Sequence, residues 1–131
     1  MKPLHLLIID DDAAMRNTLA EWLGGYQNHN VCTARNSEEG LDRMQYQAFD
    51  AIITDINHPG IDGLTFTKLI YHFGGPPVII TTGYYSRKCR HNAYANGARA
   101  FLRKPYKLEE IRDVVHLVAD KGLHYIGRNE G

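Results

Sequence analysis

Five short apolar or β-branched runs recur along the chain, and each is followed by a segment long enough for a helix. The runs are Leu4–Ile9, Val31–Ala34, Ala51–Thr54, Pro77–Thr82 and Ala100–Leu102. Four of the intervening or following segments carry apolar stripes at helical spacing. Met15, Leu19, Trp22 and Leu23 form the first, Leu41 and Met44 begin the second, and Phe66, Leu69, Ile70 and Phe73 make the third. Ile111, Val114, Val115 and Val118 repeat at i, i+3, i+4 and i+7 in the last. The segment Ser86–Asn96 is the weakest helix, polar throughout with few apolar anchors. Regular alternation of this kind predicts a parallel sheet with helices on both faces. Strands buried on both sides read as continuous apolar runs, as "LHLLII" and "PVIITT" nearly do. Asn36 and Ser37 ahead of Glu38 and Glu39 predict a helix start, while Gly24-Gly25 and Asn96-Gly97 predict helix stops.

The 131 residues suit one domain, taken as residues 1–120, followed by a loose polar tail or linker start at 121–131 with a possible anchor at Tyr125-Ile126. No apolar run approaches the ~18 residues of a membrane span, and the N-terminus leads into a strand-like run instead of a signal-peptide core. Cys32 and Cys89 match no metal spacing and read as reduced core residues of a cytoplasmic protein. The formal net charge is zero but unevenly spread. Residues 1–65 carry ten acids and four bases, residues 66–131 five acids and eleven bases, and no acid occurs between Ile70 and Leu108. A neutral chain is poorly suited to bind nucleic acid through clustered phosphate contacts. The split suggests an acidic pocket and a separate basic face.

In open α/β sheets, ligands bind beyond the carboxyl ends of the strands. The first run delivers Asp10 and Asp11 to that rim, the third Asp55 and Asn57, the fourth Thr82 and the fifth Lys104. Two carboxylates ~4 Å apart at an effective dielectric of ~20 repel by roughly 4 kcal/mol. Three therefore need a compensating cation or shifted pKa values. Oxygen-only donors favour Mg²⁺ or Mn²⁺. With such an ion in place, one carboxylate can attack a phosphoryl group whose oxygens Thr82 and Lys104 would neutralise. Each residue also has a plainer reading: a helix cap for the aspartates, a turn for Asp55, a solvated lysine, a strand-end cap. The convergence of all of them on one predicted rim favours the chemical reading. Asp12 reads as an acid at the start of the first helix, favoured by its dipole.

Over roughly residues 3–120 the chain resembles a receiver domain of two-component response regulators. The resemblance is carried by "IIDDD" with Asp10 and Asp11, "IITDINHPGIDG" around Asp55, "IITTG" with Thr82 and "FLRKP" with Lys104. It implies a doubly wound, flavodoxin-like α/β sandwich with strand order 2-1-3-4-5. It further implies that Asp55 accepts phosphate from a histidine kinase or phosphotransfer protein. Asp10, Asp11, Asp55 and the Asn57 backbone carbonyl would hold Mg²⁺. Thr82 and Lys104 would contact the phosphoryl group, Thr82 and Phe101 would act as the switch, and Lys104-Pro105 would be cis. Phe101 reads equally well as plain core packing. The chain would then be no enzyme beyond self-phosphorylation and slow dephosphorylation in cis.

His58 stands where the family commonly has an apolar residue and reads as a solvated loop residue. Asn57 and Tyr84 are placed to tune dephosphorylation. Arg87, Lys88, Arg90, Arg99, Arg103 and Lys107 cluster around the fourth helix and fifth strand. They form either a solvated cationic face or a docking face for an effector domain, an acidic protein partner or a phosphorylation-dependent dimer. Two other functions share the ligand set: a Mg-dependent phosphohydrolase for small substrates, and a degenerate receiver used only for binding. The first lacks an acid two positions after Asp55, where Asn57 stands; the second is at odds with the complete set of functional residues.

Overall fold

A computed structural model describes residues 2–57, 60–120, 122, 124 and 125. His58 and most of the tail from Lys121 on, including Ile126, lie outside the described residues. Strands β1 (His5–Ile9), β2 (Asn30–Ala34), β3 (Ala51–Asp55), β4 (Val78–Thr82) and β5 (Ala100–Arg103) form one parallel sheet in the order β2-β1-β3-β4-β5. Helices α1 (Ala13–Ala20), α2 (Ser37–Tyr46), α3 (Gly63–His72), α4 (Arg87–Ala95) and α5 (Leu108–Val115) connect and cover it. All five apolar runs are strands, and the polar segment before Asn96 is helical.

Strand side chains alternate between two cores, as the pleat requires. Leu6, Ile8, Ile53, Ile79 and Leu102 face Leu19, Leu23, Ile111, Val114 and Val115 of the layer that contains α1 and α5. Leu7, Ile9, Ile52, Ile80 and Phe101 face Phe66, Ile70 and Ala93 of α3 and α4. Cys32 and Cys89 are free and only half-buried against this second core, so they are less interior than expected. Four helix starts are capped by side chains that accept N–H groups: Asp12 from Ala14 and Met15, Asn36 from Glu39, Asp62 from Thr65 and Ser86 from Cys89.

Two expectations are corrected. Gly24-Gly25 does not end the first helix, which continues from Glu21 to Tyr26 as a wider turn in which Gln27 N donates to Trp22 O at 3.0 Å. A Cβ on Gly24 would lie at ordinary contact distance, 3.5 Å, from Val31 Cγ2, so packing does not require glycine there. The left-handed residue that turns the chain is Asn28, at φ 61°. Phe73 is not part of the buried stripe. It follows the last residue of α3, ahead of Gly74 at φ +69°, and is 83% exposed. The stop at Asn96-Gly97 is present, with Gly97 at φ +101°.

The turn from β3 into α3 positions the rim. Gly63 N donates to Ile56 O at 2.9 Å, and a Cβ at Gly63 would meet Asp55 O at 2.4 Å and Ile56 Cα at 2.7 Å. Both are backbone atoms with no rotamer to yield. Gly63→Ala should therefore destabilise the fold by about 1–3 kcal/mol, the usual cost of overpacking, read as a lower urea midpoint with an unchanged slope.

A second prediction concerns His29, buried at the foot of the sheet, whose Nδ1 accepts the Leu4 N–H at 3.1 Å. Burial pushes its pKa below the ordinary histidine value, against the pull of the Asp50 carboxylate. The unfolded chain then binds the proton more readily than the native one. The stability His29 contributes is complete above the unfolded value of about 6.5 and is lost as pH falls through the lower native value. His29→Gln keeps an acceptor without the titration. Its melting temperature should fall less than the wild type's between pH 7 and pH 5; parallel curves would contradict the assignment.

Candidate functional site

The carboxyl ends of β1, β3, β4 and β5 bring the chemistry together. One carboxylate oxygen from each of Asp10, Asp11 and Asp55 lies within 4.8 Å of the others, with Asp10 and Asp55 buried and Asp11 exposed. The Lys104 ammonium donates to Asp10 Oδ2 and Asp55 Oδ2, at 3.2 Å each. The other oxygen of Asp10 accepts Asp12 N at 3.0 Å, and that of Asp55 accepts Asn57 N at 3.3 Å. Lys104 is fixed in turn by its own N–H, which donates to Thr82 O at 2.7 Å, and the following Lys104-Pro105 peptide is cis.

The electrostatics follow from burial and from an imbalance of charge. Burial raises the Asp10 carboxyl above the usual range, and the Asp55 charge adds to this, against the Asp12 N–H and the Lys104 ammonium. Burial pulls the Lys104 ammonium down, yet Asp10 and Asp55 together carry it above an ordinary lysine. One ammonium thus faces three carboxylates. A donor set of hard oxygens with residual negative charge fits a divalent cation such as Mg²⁺.

Thr82 is fully buried at the end of β4, and its hydroxyl is already engaged: it accepts Tyr84 N at 3.0 Å and lies 3.4 Å from Tyr84 O. Tyr84 itself is 79% exposed. Phe101 is buried, with its ring packed edge-on against Tyr85 at 6.1 Å. The six basic residues do not share one role. Arg103 lies over the Tyr85 ring at 5.0 Å and Arg90 over Tyr94 at 5.4 Å, while Arg99 Nη1 points to Gly122 O at 3.4 Å. Arg87, Lys88 and Lys107 are exposed.

Two residues of the site were missed in the sequence. Arg16 Nη1 donates to the Asp10 carbonyl at 2.8 Å, holding the turn that presents Asp10. Its spacing of six residues from Asp10 across a strand–helix turn gives no pattern to search for. Tyr106, directly after Lys104-Pro105, donates its hydroxyl to Met15 Sδ at 3.6 Å beneath the rim. Burial, reinforced by the charges of Asp10 and Asp55, raises its phenol far above the ordinary tyrosine value, so it stays neutral.

The chain matches the family model described as "Response regulator receiver domain" over residues 6–116. Response regulator Rre1 of Synechocystis sp. is 29% identical over 117 residues, covering 87% of this chain and 51% of Rre1. The chain thus spans about half the length of that curated relative. The chemotaxis protein CheY4 of Vibrio cholerae superposes with a TM-score of 0.81 at 27% identity, over 89% of this chain and 99% of CheY4. A response regulator from Burkholderia pseudomallei, whose crystal structure holds a phosphorylated aspartic acid, a calcium ion and citrate, gives a TM-score of 0.79 at 26% identity, covering 91% and 70% of the two chains. From β1 through α5 the match is continuous, and the chain belongs to the receiver-domain family of response regulators, phosphorylation-controlled switches of two-component signalling.

Proposed function

We propose that Asp55 is the phosphoacceptor, taking a phosphoryl group from a histidine kinase or phosphotransfer protein. The observation that carries this reading is the Lys104 ammonium, held 3.2 Å from both Asp10 and Asp55 among three clustered carboxylates. An Asp55 carboxylate oxygen attacks phosphorus as the P–N bond to the donor histidine breaks, leaving an acyl phosphate. Asp10, Asp11, Asp55 and the Asn57 carbonyl would hold Mg²⁺, which supplies charge neutralisation to the transferred oxygens. Lys104 then exchanges its contact with Asp55 for one with the phosphoryl group.

Phosphorylation adds ≈ −1.5 to −2 charges and new acceptor oxygens beside a buried hydroxyl. Thr82 has a competing attraction here: its O–H is directed at Tyr84 O at 3.4 Å and must turn from it to reach the phosphoryl oxygens, while the oxygen still accepts the Tyr84 N–H. That movement displaces the Tyr84–Tyr85 segment packed against Phe101, which transmits the change to α4 and β5. Exposed Arg87, Lys88 and Lys107 on that side suit an effector domain or an acidic partner, or complementary charges in a phosphorylation-dependent dimer. Loss of the phosphoryl group proceeds in cis, with Asn57 and exposed Tyr84 beside the path of the attacking water. The Asp55 side chain has its companions in place, which favours this reading over a receiver used only for binding.

Incubation with Mg²⁺ and acetyl phosphate should add one phosphoryl group by intact mass, discharged by hydroxylamine. The gain should vanish in Asp55→Asn, and an adduct that persists there would place the phosphate elsewhere. Asp10→Asn should weaken Mg²⁺ binding at least about tenfold, since a charge ~4 Å away is worth more than the ~1.4 kcal/mol of one decade. Isothermal titration calorimetry reads this directly, and equal affinities would remove Asp10 from the metal site.

A further inference from the structure

β5 is an edge strand, and edges with free N–H and C=O groups invite pairing with another chain. Here the C-terminal segment returns to that edge. Tyr125 makes a parallel bridge with Ala100, and its N–H donates to Arg99 O at 2.9 Å. The Tyr94 hydroxyl, on α4, donates to the Tyr125 carbonyl. The Tyr125 hydroxyl donates to Glu110 Oε2, on α5, at 2.9 Å. One residue is thereby tied to α4, β5 and α5 together, with its ring packed against the buried cluster under α1 and α5.

We infer that Tyr125 is an intramolecular latch: it occupies the edge of β5 between α4 and α5 and restrains α4 in the unphosphorylated arrangement. The physical path is short. Tyr94, whose hydroxyl reaches Tyr125, packs against the same buried cluster as Phe101, and Arg90 lies over the Tyr94 ring at 5.4 Å. α4 is capped by Ser86, two residues after Tyr84, whose N–H donates to the Thr82 hydroxyl. If Thr82 turns toward a phosphoryl group, the segment that leads into α4 moves with it and draws Tyr94 away from the Tyr125 carbonyl. The latched and phosphoryl-bound arrangements therefore oppose each other. By reciprocity, a phosphoryl group on Asp55 loosens Tyr125, and loss of Tyr125 favours the phosphoryl-bound state. The direction of this coupling rests on Asp55 being the phosphoacceptor; the latch itself does not.

The test uses the full chain as wild type, Tyr125→Ala and Tyr125→Phe, the last removing only the bond to Glu110. Amide hydrogen exchange without ligand should quicken across Arg87–Ala95 in Tyr125→Ala, and less in Tyr125→Phe. With Mg²⁺ present, the beryllofluoride concentration that half-saturates Tyr125→Ala should fall about three- to tenfold, the worth of about one net hydrogen bond. Unchanged exchange in α4 would overturn the latch. Faster exchange with unchanged beryllofluoride affinity would overturn its coupling to the site. Failure of all three proteins to bind beryllofluoride would count against Asp55 as phosphoacceptor, and the exchange rates would still decide the latch.

Discussion

Three carboxylates within 4.8 Å of one another, facing a single ammonium, set the terms for the rest of the molecule. Free in water they would drift apart; here each is fixed by covalent attachment to a strand end or to the turn that follows it. Asp10 and Asp55 sit on adjacent strands and Lys104 follows the last, so the cluster cannot relax without disturbing the sheet. Residual negative charge is stored there, and a divalent cation is what would relieve it.

The two cores are what keep that rim rigid. Alternate residues of every strand point to opposite layers, so a slip of one residue would reverse both faces at once. Behind the rim, Arg16 grips the Asp10 carbonyl and Gly63 allows α3 to start against Asp55. Around α4 the contacts are of another kind. Ala93 is the buried residue of that helix, and aromatic rings meet guanidinium groups near it: Tyr85 edge-on to Phe101 beneath Arg103, and Tyr94 beneath Arg90. Such contacts can slide at lower cost than interdigitated aliphatic packing, which suits the part of the fold that must respond.

Much of this was legible in the residues. The five strands, the weak fourth helix and the convergence of Asp10, Asp11, Asp55, Thr82 and Lys104 follow from apolar runs and from what stands at their ends. Other features were not. Gly24-Gly25 reads as a stop, but the helix runs on through it to Tyr26 and the left-handed residue is Asn28. Phe73 fits a helical stripe, yet the helix has ended before it. The basic stretch reads as one face, whereas Arg90 and Arg103 are spent on tyrosine rings and Arg99 on the Gly122 carbonyl.

What the sequence determined by itself was the architecture and the list of polar residues at the strand ends, because both depend on local facts: hydrophobic period, strand length and the residue that ends each strand. Only the tertiary structure decided how those groups are held. The paired hydrogen bonds of Lys104 to Asp10 and Asp55, the Thr82 hydroxyl held by Tyr84, and Tyr125 closing the β5 edge join residues that are close in space and mostly far apart in the chain. Their partners are chosen by the packing of whole elements, and no spacing along the chain records that choice.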